Sequence, residues 1–234
     1  MDKENIDNAI EVLKKVVEKI KEYNIGEYGL SMLELSKPQY SYLIESLKQM
    51  GSMADQAKLN CIIMGLSENK NVETRMNELY SYVKKSKENA FLISDSFRKM
   101  MLSSSTIACC IMGIMLGDFA KEDRKPTQCE MIIMRALGLF TDCDMVNFVE
   151  IMGMSCNVEE DGETRYINRA QILNEKREEL EMTLDFCSQN RIFKLQALVS
   201  GETLIMDAYV IDQVSERLLS YIRQAKRYMA CEII

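Results

Sequence analysis

The chain has 234 residues, 47% apolar and 28% charged, which is enough apolar material for a sizeable core at an ordinary globular charge content. It contains no His, which excludes Ser-His and Cys-His nucleophile pairs and every His-ligated metal. A formal net charge of -7 argues against a general nucleic-acid coat but is compatible with a local basic patch.

Only Pro38 and Pro126 interrupt the backbone's donor pattern, and Met, a strong helix former, occurs 18 times. A mainly α fold is expected. The eight cysteines form no C-x-x-C pair and sit at helix-like positions among apolar residues. They read as small buried hydrophobes of a reducing, cytoplasmic setting. Asp2, Lys3 and Glu4 do not begin a signal peptide.

In chain order, residues 5–24 form an amphipathic helix pattern. Ile6, Ile10, Leu13, Val17 and Ile20 follow a 4-3-4-3 spacing. That stripe is a candidate self-association seam. The simpler expectation is a helix lying on its own domain, since the pattern is too short for a true coiled coil. Gly26 and Gly29 end it, and Ser36-Lys37-Pro38-Gln39 reads as a helix start. That helix is expected to reach about Leu66 with an interruption near Gly51. Residues 67–71 are polar. From Val72 to about Met101 a helical pattern resumes, with Met76, Leu79, Tyr80 and Val83 on one face.

Met100 to Gly117 carries no charge over 18 residues, at the threshold for a membrane span. It includes Gly113-x-x-x-Gly117, a spacing that lets helices approach closely. Ser103, Ser104, Ser105 and Thr106 break its first third, which favours a central buried helix starting at those hydroxyls. No membrane is therefore expected among the partners.

Charged residues 120–126, ending in Pro126, mark the expected boundary between a helical domain, 1–122, and a second domain, 123–234. Thr127-x-x-Glu130 gives a capping box for a helix over about 127–140. Thr141 and Asp142 cap the next, about 142–153, with Val146, Val149, Ile151 and Met152 inward. Asp161-Gly162 suits either a small hairpin or an acidic loop. Asn168 can cap a single helix over 169–189 with Leu173, Leu180, Leu184 and Cys187 on one side. Ile192–Val199 and Leu204–Ile211 lean to strand around Ser200-Gly201 and predict a hairpin. Asp212 then caps a last helix striped by Val214, Leu218, Ile222, Ala225 and Met229.

The order helix, helix, helix, hairpin over 127–211 resembles a winged-helix module, in which the third helix usually enters the major groove and the hairpin is the wing. The fold class is thus mainly α: a multi-helix N-terminal part and a winged-helix-like C-terminal part with one small β-hairpin. Charge speaks against DNA on the third helix. Glu175, Glu178, Glu179, Glu181 and Asp185 face only Lys176, Arg177 and Arg169 there. The last helix is locally basic through Arg217, Arg223, Lys226 and Arg227, either an anion patch or cations favoured by the helix C-terminus. Asp142 and Asp144 lack a regular oxygen-ligand loop, so no metal is expected, and no nucleotide-binding glycine motif or catalytic set points to a cofactor.

A second resemblance runs through Phe97-Arg98-Lys99-Met100, Glu130-Met131-Ile132-Ile133 and Ala136-Leu137-Gly138-Leu139-Phe140-Thr141-Asp142-Cys143-Asp144-Met145. These stretches look like helical bacterial and phage proteins of the abortive-infection type. The resemblance implies phage–host conflict and names no catalytic residue. The expected function is a non-enzymatic protein-interaction module whose partner is another protein or a second copy. The alternatives are a DNA-binding regulator and a membrane-active effector.

Overall fold

The computed structural model describes residues 3–22, 53–68, 71–157, 165–175, 177–200 and 203–230. The expected helix start at Ser36, the interruption near Gly51 and the Asp161-Gly162 turn lie outside them. The chain divides into two compact units, Met1–Pro126 with Gln224–Ile234, and Thr127–Arg223. The described fold is mainly α with one small antiparallel sheet.

The first unit holds α1 (Lys3–Glu22), α2 (Met53–Ser67), α3 (Val72–Lys85), α4 (Lys87–Leu102) and α5 (Thr106–Glu122). Its centre is α5, in which every residue from Ala108 to Gly117 is buried. Ser105 starts it, its side chain accepting from the Ala108 N–H, as the serine run predicts. The most extensive helix pair is α2 with α5. A Cβ on Gly65 would stand 2.1 Å from Cys110 O, and one on Gly113 2.5 Å from Ile62 O. The glycine spacing is therefore used inside the chain, where two backbones touch. No helix among the described residues is long and apolar enough to cross a membrane.

Two sequence expectations need correction here. The run 72–101 is two helices, because Ser86 takes an extended backbone, φ -155° and ψ 157°, and caps α4 by accepting from the Asn89 N–H. Tyr80 is only half-buried, whereas Tyr82 is buried and its hydroxyl donates to Arg124 O at 2.9 Å. Helices cover α3 on more than one side, so its inward face is wider than one stripe.

The second unit begins with α6 (Gln128–Leu137) and α7 (Asp142–Gly153). The expected capping box of Thr127 with Glu130 forms, and Thr141 caps α7 as expected, its box closed by Asp144 rather than by Asp142, which is the first residue of the helix. Next come β1 (Cys156–Asn157), β2 (Arg165–Asn168), α8 (Arg169–Asn174), α9 (Glu178–Gln189), β3 (Lys194–Ser200) and β4 (Thr203–Ile211). The predicted hairpin is β3–β4, and it belongs to a four-stranded sheet ordered β1-β2-β4-β3. Asn168 caps as expected, but the single helix over 169–189 is two helices. The physical reason is that α8 packs on β2 and β4 while α9 packs on α7, so one straight rod could not serve both. Leu173 is consequently exposed, while Leu180, Leu184 and Cys187 are buried. Val146 is exposed too, at 51%, with Ile151 and Met152 inward as expected.

The last helix, α10 (Gln213–Ala230), starts on Asp212, whose Oδ1 accepts from the Val214 N–H at 2.8 Å. Val214, Leu218, Ile222 and Ala225 are buried along it. Within the second unit, Glu130 is the buried link between α6 and α10. Its Oε2 accepts from the Thr127 N–H (2.8 Å) and hydroxyl (2.9 Å). Its Oε1 lies 3.4 Å from the Tyr221 hydroxyl and 3.5 Å from Arg217.

Candidate functional site

The second unit presents α9 on a rigid base. Five aromatic rings run through that base. Phe140 meets Phe186 edge-on at 4.9 Å and Phe148 at 6.5 Å, Phe148 stacks on Phe193 at 5.4 Å, and Phe193 leans on Tyr209 at 6.4 Å. Such pairs orient elements as well as burying area. Polar contacts then fix the register of α9 on α7. Asn147 Nδ2 donates to Glu179 O (3.2 Å) and Thr183 Oγ1 (3.1 Å). The Thr183 hydroxyl lies 3.2 Å from Asp144 Oδ1 and 2.9 Å from Glu179 O.

These contacts assign Asp144 to structure. One of its oxygens closes the Thr141 capping box at 2.9 Å, and the other faces Thr183. No group of three or more His, Cys, Asp or Glu among the described residues is arranged to hold a metal. Ser103 and Ser105 are buried in the turn before α5, where Ser103 Oγ accepts from the Ser105 N–H at 3.2 Å.

The outward face of α9 carries Glu178, Glu179, Met182 and Asp185, all exposed. Neighbouring cations are spoken for. Arg177 pairs with Glu150 and with Glu179 (2.8 Å), and Arg169 lies 4.0 Å from Asp185. Hydrogen bonds to Glu179 and Glu150 push the Arg177 pKa up, and the bond from Arg177 pulls the Glu179 carboxyl below its ordinary value. Every charge along α9 itself is acidic. In its midst Met182 is 72% exposed. The sequence held a signal for this: Met182 falls off the Leu180–Leu184–Cys187 stripe, so a helix seated on that stripe turns it outward.

The other sequence-derived candidates fall elsewhere. Ile10, Leu13, Val17 and Ile20 are 2–6% exposed, and α1 packs chiefly on α3. The stripe therefore closes the chain's own core, which is the simpler of its two readings, and the side chain of Ile6 lies outside the described ones. Of the basic candidates, Arg217 stands over the Tyr221 ring at 5.2 Å and beside Glu130. Arg223, Lys226 and Arg227 are exposed. The helical repeat of about 100° per residue puts Arg223 and Arg227 on one face and Arg217 well away from it. The cysteines divide: Cys61, Cys109, Cys110 and Cys187 are buried as expected, whereas Cys143 and Cys156 are exposed and Cys129 is half-buried. Burial raises the Cys187 thiol far above its ordinary range.

No protein-family model matches this chain, and no curated protein or solved structure is significantly similar to it.

Proposed function

We propose that this protein is a non-enzymatic interaction module that binds another protein through the outward face of α9. One observation carries the reading. At the position where a winged-helix module would offer cations to phosphate, this chain offers Glu178 beside an exposed Met182, while the nearby Arg177 and Arg169 are taken up by Glu150, Glu179 and Asp185 and leave the face net acidic. Such a face repels nucleic acid and suits a protein surface that supplies cations around an apolar socket. Met is well suited to that use because its unbranched thioether adapts to irregular partners. The middle-third resemblance to abortive-infection proteins suggests phage–host conflict as the setting in which to look.

The test is affinity capture of the intact chain from its native cell, beside Met182→Arg. The exposure of Met182 leaves the fold of the variant unchanged. A protein held by the parent and lost by the variant, at an equal unfolding midpoint, supports the reading. Retention of nucleic acid or lipid alone, or equal capture by both chains, ends it.

A further inference from the structure

The hairpin β3–β4 reaches past the rest of its sheet. Strand β2 pairs with Ala208–Ile211 only, so Thr203–Asp207 of β4 has β3 as its sole strand neighbour among the described residues. Two-stranded ribbons are marginally stable in water when left alone. The outer edge of β3 is unpaired along all seven residues from Lys194 to Ser200 among the described residues. Every second residue of such an edge turns its N–H and C=O outward, ready for another strand.

Folded proteins protect long edges with charge, proline, brevity or a bulge. Strand β3 has no proline, is seven residues long and carries no bulge of its own, and its charge is confined to one end. Its one charge, Lys194, sits at its first residue and pairs with Asp212 at 2.6 Å. Leu195 to Ser200 contains no charge and no proline. The irregularity of the hairpin lies on β4: Leu198 pairs with Met206 and Val199 with Leu204, leaving Ile205 as the extra residue. So β3 itself is uninterrupted, and Leu195 on it is 52% exposed. By contrast the opposite edge, β1, is two residues long.

We propose that β3 is a strand-addition edge and that its occupant is β3 of a second copy, antiparallel, with the two-fold axis at Ala197. In that register one aliphatic pair forms twice by symmetry and no like charges meet. Position Leu195 is opposite Val199 of the second copy, Gln196 opposite Leu198, and Lys194 opposite Ser200. The two lysines thus stand at opposite ends of the paired strands, about 20 Å apart at the usual rise per residue, so like charges never face each other. A shared two-fold interface of this kind is closed and stops at the dimer. It joins two four-stranded sheets into one continuous sheet of the order β1-β2-β4-β3-β3-β4-β2-β1. The proposal is independent of the α9 reading, since it uses a different surface and a different partner.

The experiment is sedimentation velocity of the full chain from micromolar to submillimolar concentration, with amide exchange read along β3. A dimer is expected, with alternate β3 amides slowing as it forms. Leu195→Lys removes two aliphatic cross-strand pairs by symmetry and should weaken association about tenfold. Circular dichroism checks that this variant stays folded, as the exposure of Leu195 leads one to expect. Mixing it with Val199→Glu should restore association, because the lysine introduced in one copy then stands opposite the glutamate introduced in the other. A chain that stays monomeric across the range overturns the proposal. So does a dimer whose β3 amides exchange freely, or one indifferent to Leu195→Lys. Pairing of β3 with a strand from a different protein, without a dimer, also overturns it.

Discussion

At the residue scale the tightest constraint is the contact between α2 and α5. The three glycines facing across it, Gly65, Gly113 and Gly117, each point a would-be Cβ at backbone atoms, and backbone cannot swing aside as a side chain can. Gly65→Ala should therefore force the helices apart and lower stability by about 3 kcal/mol, toward the upper end for overpacked cores. Gly153 supplies the control. Nothing lies within 4 Å of a Cβ there, so Gly153→Ala should be neutral or slightly stabilising through helix propensity. Urea unfolding of both variants beside the parent checks the pair, and equal midpoints for all three would refute this account of the glycines. The Gly113-x-x-x-Gly117 spacing was legible in the sequence. Its partner, Gly65, was not, because a contact between residues so far apart in the chain leaves no local trace.

Elements show where local signals suffice. Capping residues announce helix starts within three or four positions, so Thr127, Thr141, Asn168 and Asp212 could be read directly. Helix breaks inside a periodic run are harder. No apolar residue occurs from Lys84 to Asn89 or from Asn174 to Glu179, yet Val83 to Ala90 and Leu173 to Leu180 keep a seven-residue spacing, so each gap reads equally as one solvated turn of a continuous helix, and what the two halves pack against decides the break. The same reason places Val146 outside and Tyr82 inside. Along α4 itself, Asp95 reaches Arg98 at 2.9 Å and Lys99 at 2.8 Å, one helical turn on. Burial disfavours the ionised form of Asp95, and hydrogen bonds from Lys99 and Arg98 outweigh it, so the carboxyl is held below its ordinary range. A depressed carboxyl pKa contributes stability that is present above the unfolded value and lost as pH falls through the folded one. Asp95→Asn should thus cost about 1 kcal/mol or less at neutral pH, given solvent screening of a partly exposed pair. The gap between parent and variant should close below about pH 4, the ordinary carboxylate value. Denaturation at neutral and acid pH measures it, and a gap that widened in acid would reverse the sign argued here.

For the whole molecule the decisive quantity is where the charge lies along the chain. Thr127–Arg223 holds 17 acidic and 9 basic residues, so the net negative charge belongs to the second unit and the rest of the chain is close to neutral. Element order alone would have assigned that unit to DNA. The charge could be counted from the sequence, but which acids face outward on α9 depends on how α9 seats on α7. Counterion release requires cations facing phosphate, and Arg177 and Arg169 beside α9 are already held by Glu150, Glu179 and Asp185. Besides Arg217, which pairs with Glu130, the exposed cations of α10 are Arg223, Lys226 and Arg227, too few to offset that field and only partly on one face. The intact chain should therefore show no retention on duplex DNA at physiological salt. Any weak retention at low salt should vanish in Arg223→Ala, Lys226→Ala and Arg227→Ala combined, with a salt slope of at most about three released ions. A steeper slope, or binding that survives the triple substitution, would mean that some other surface of this chain meets phosphate, and α9 would then have to be read anew as a helix whose acids are masked by its partner.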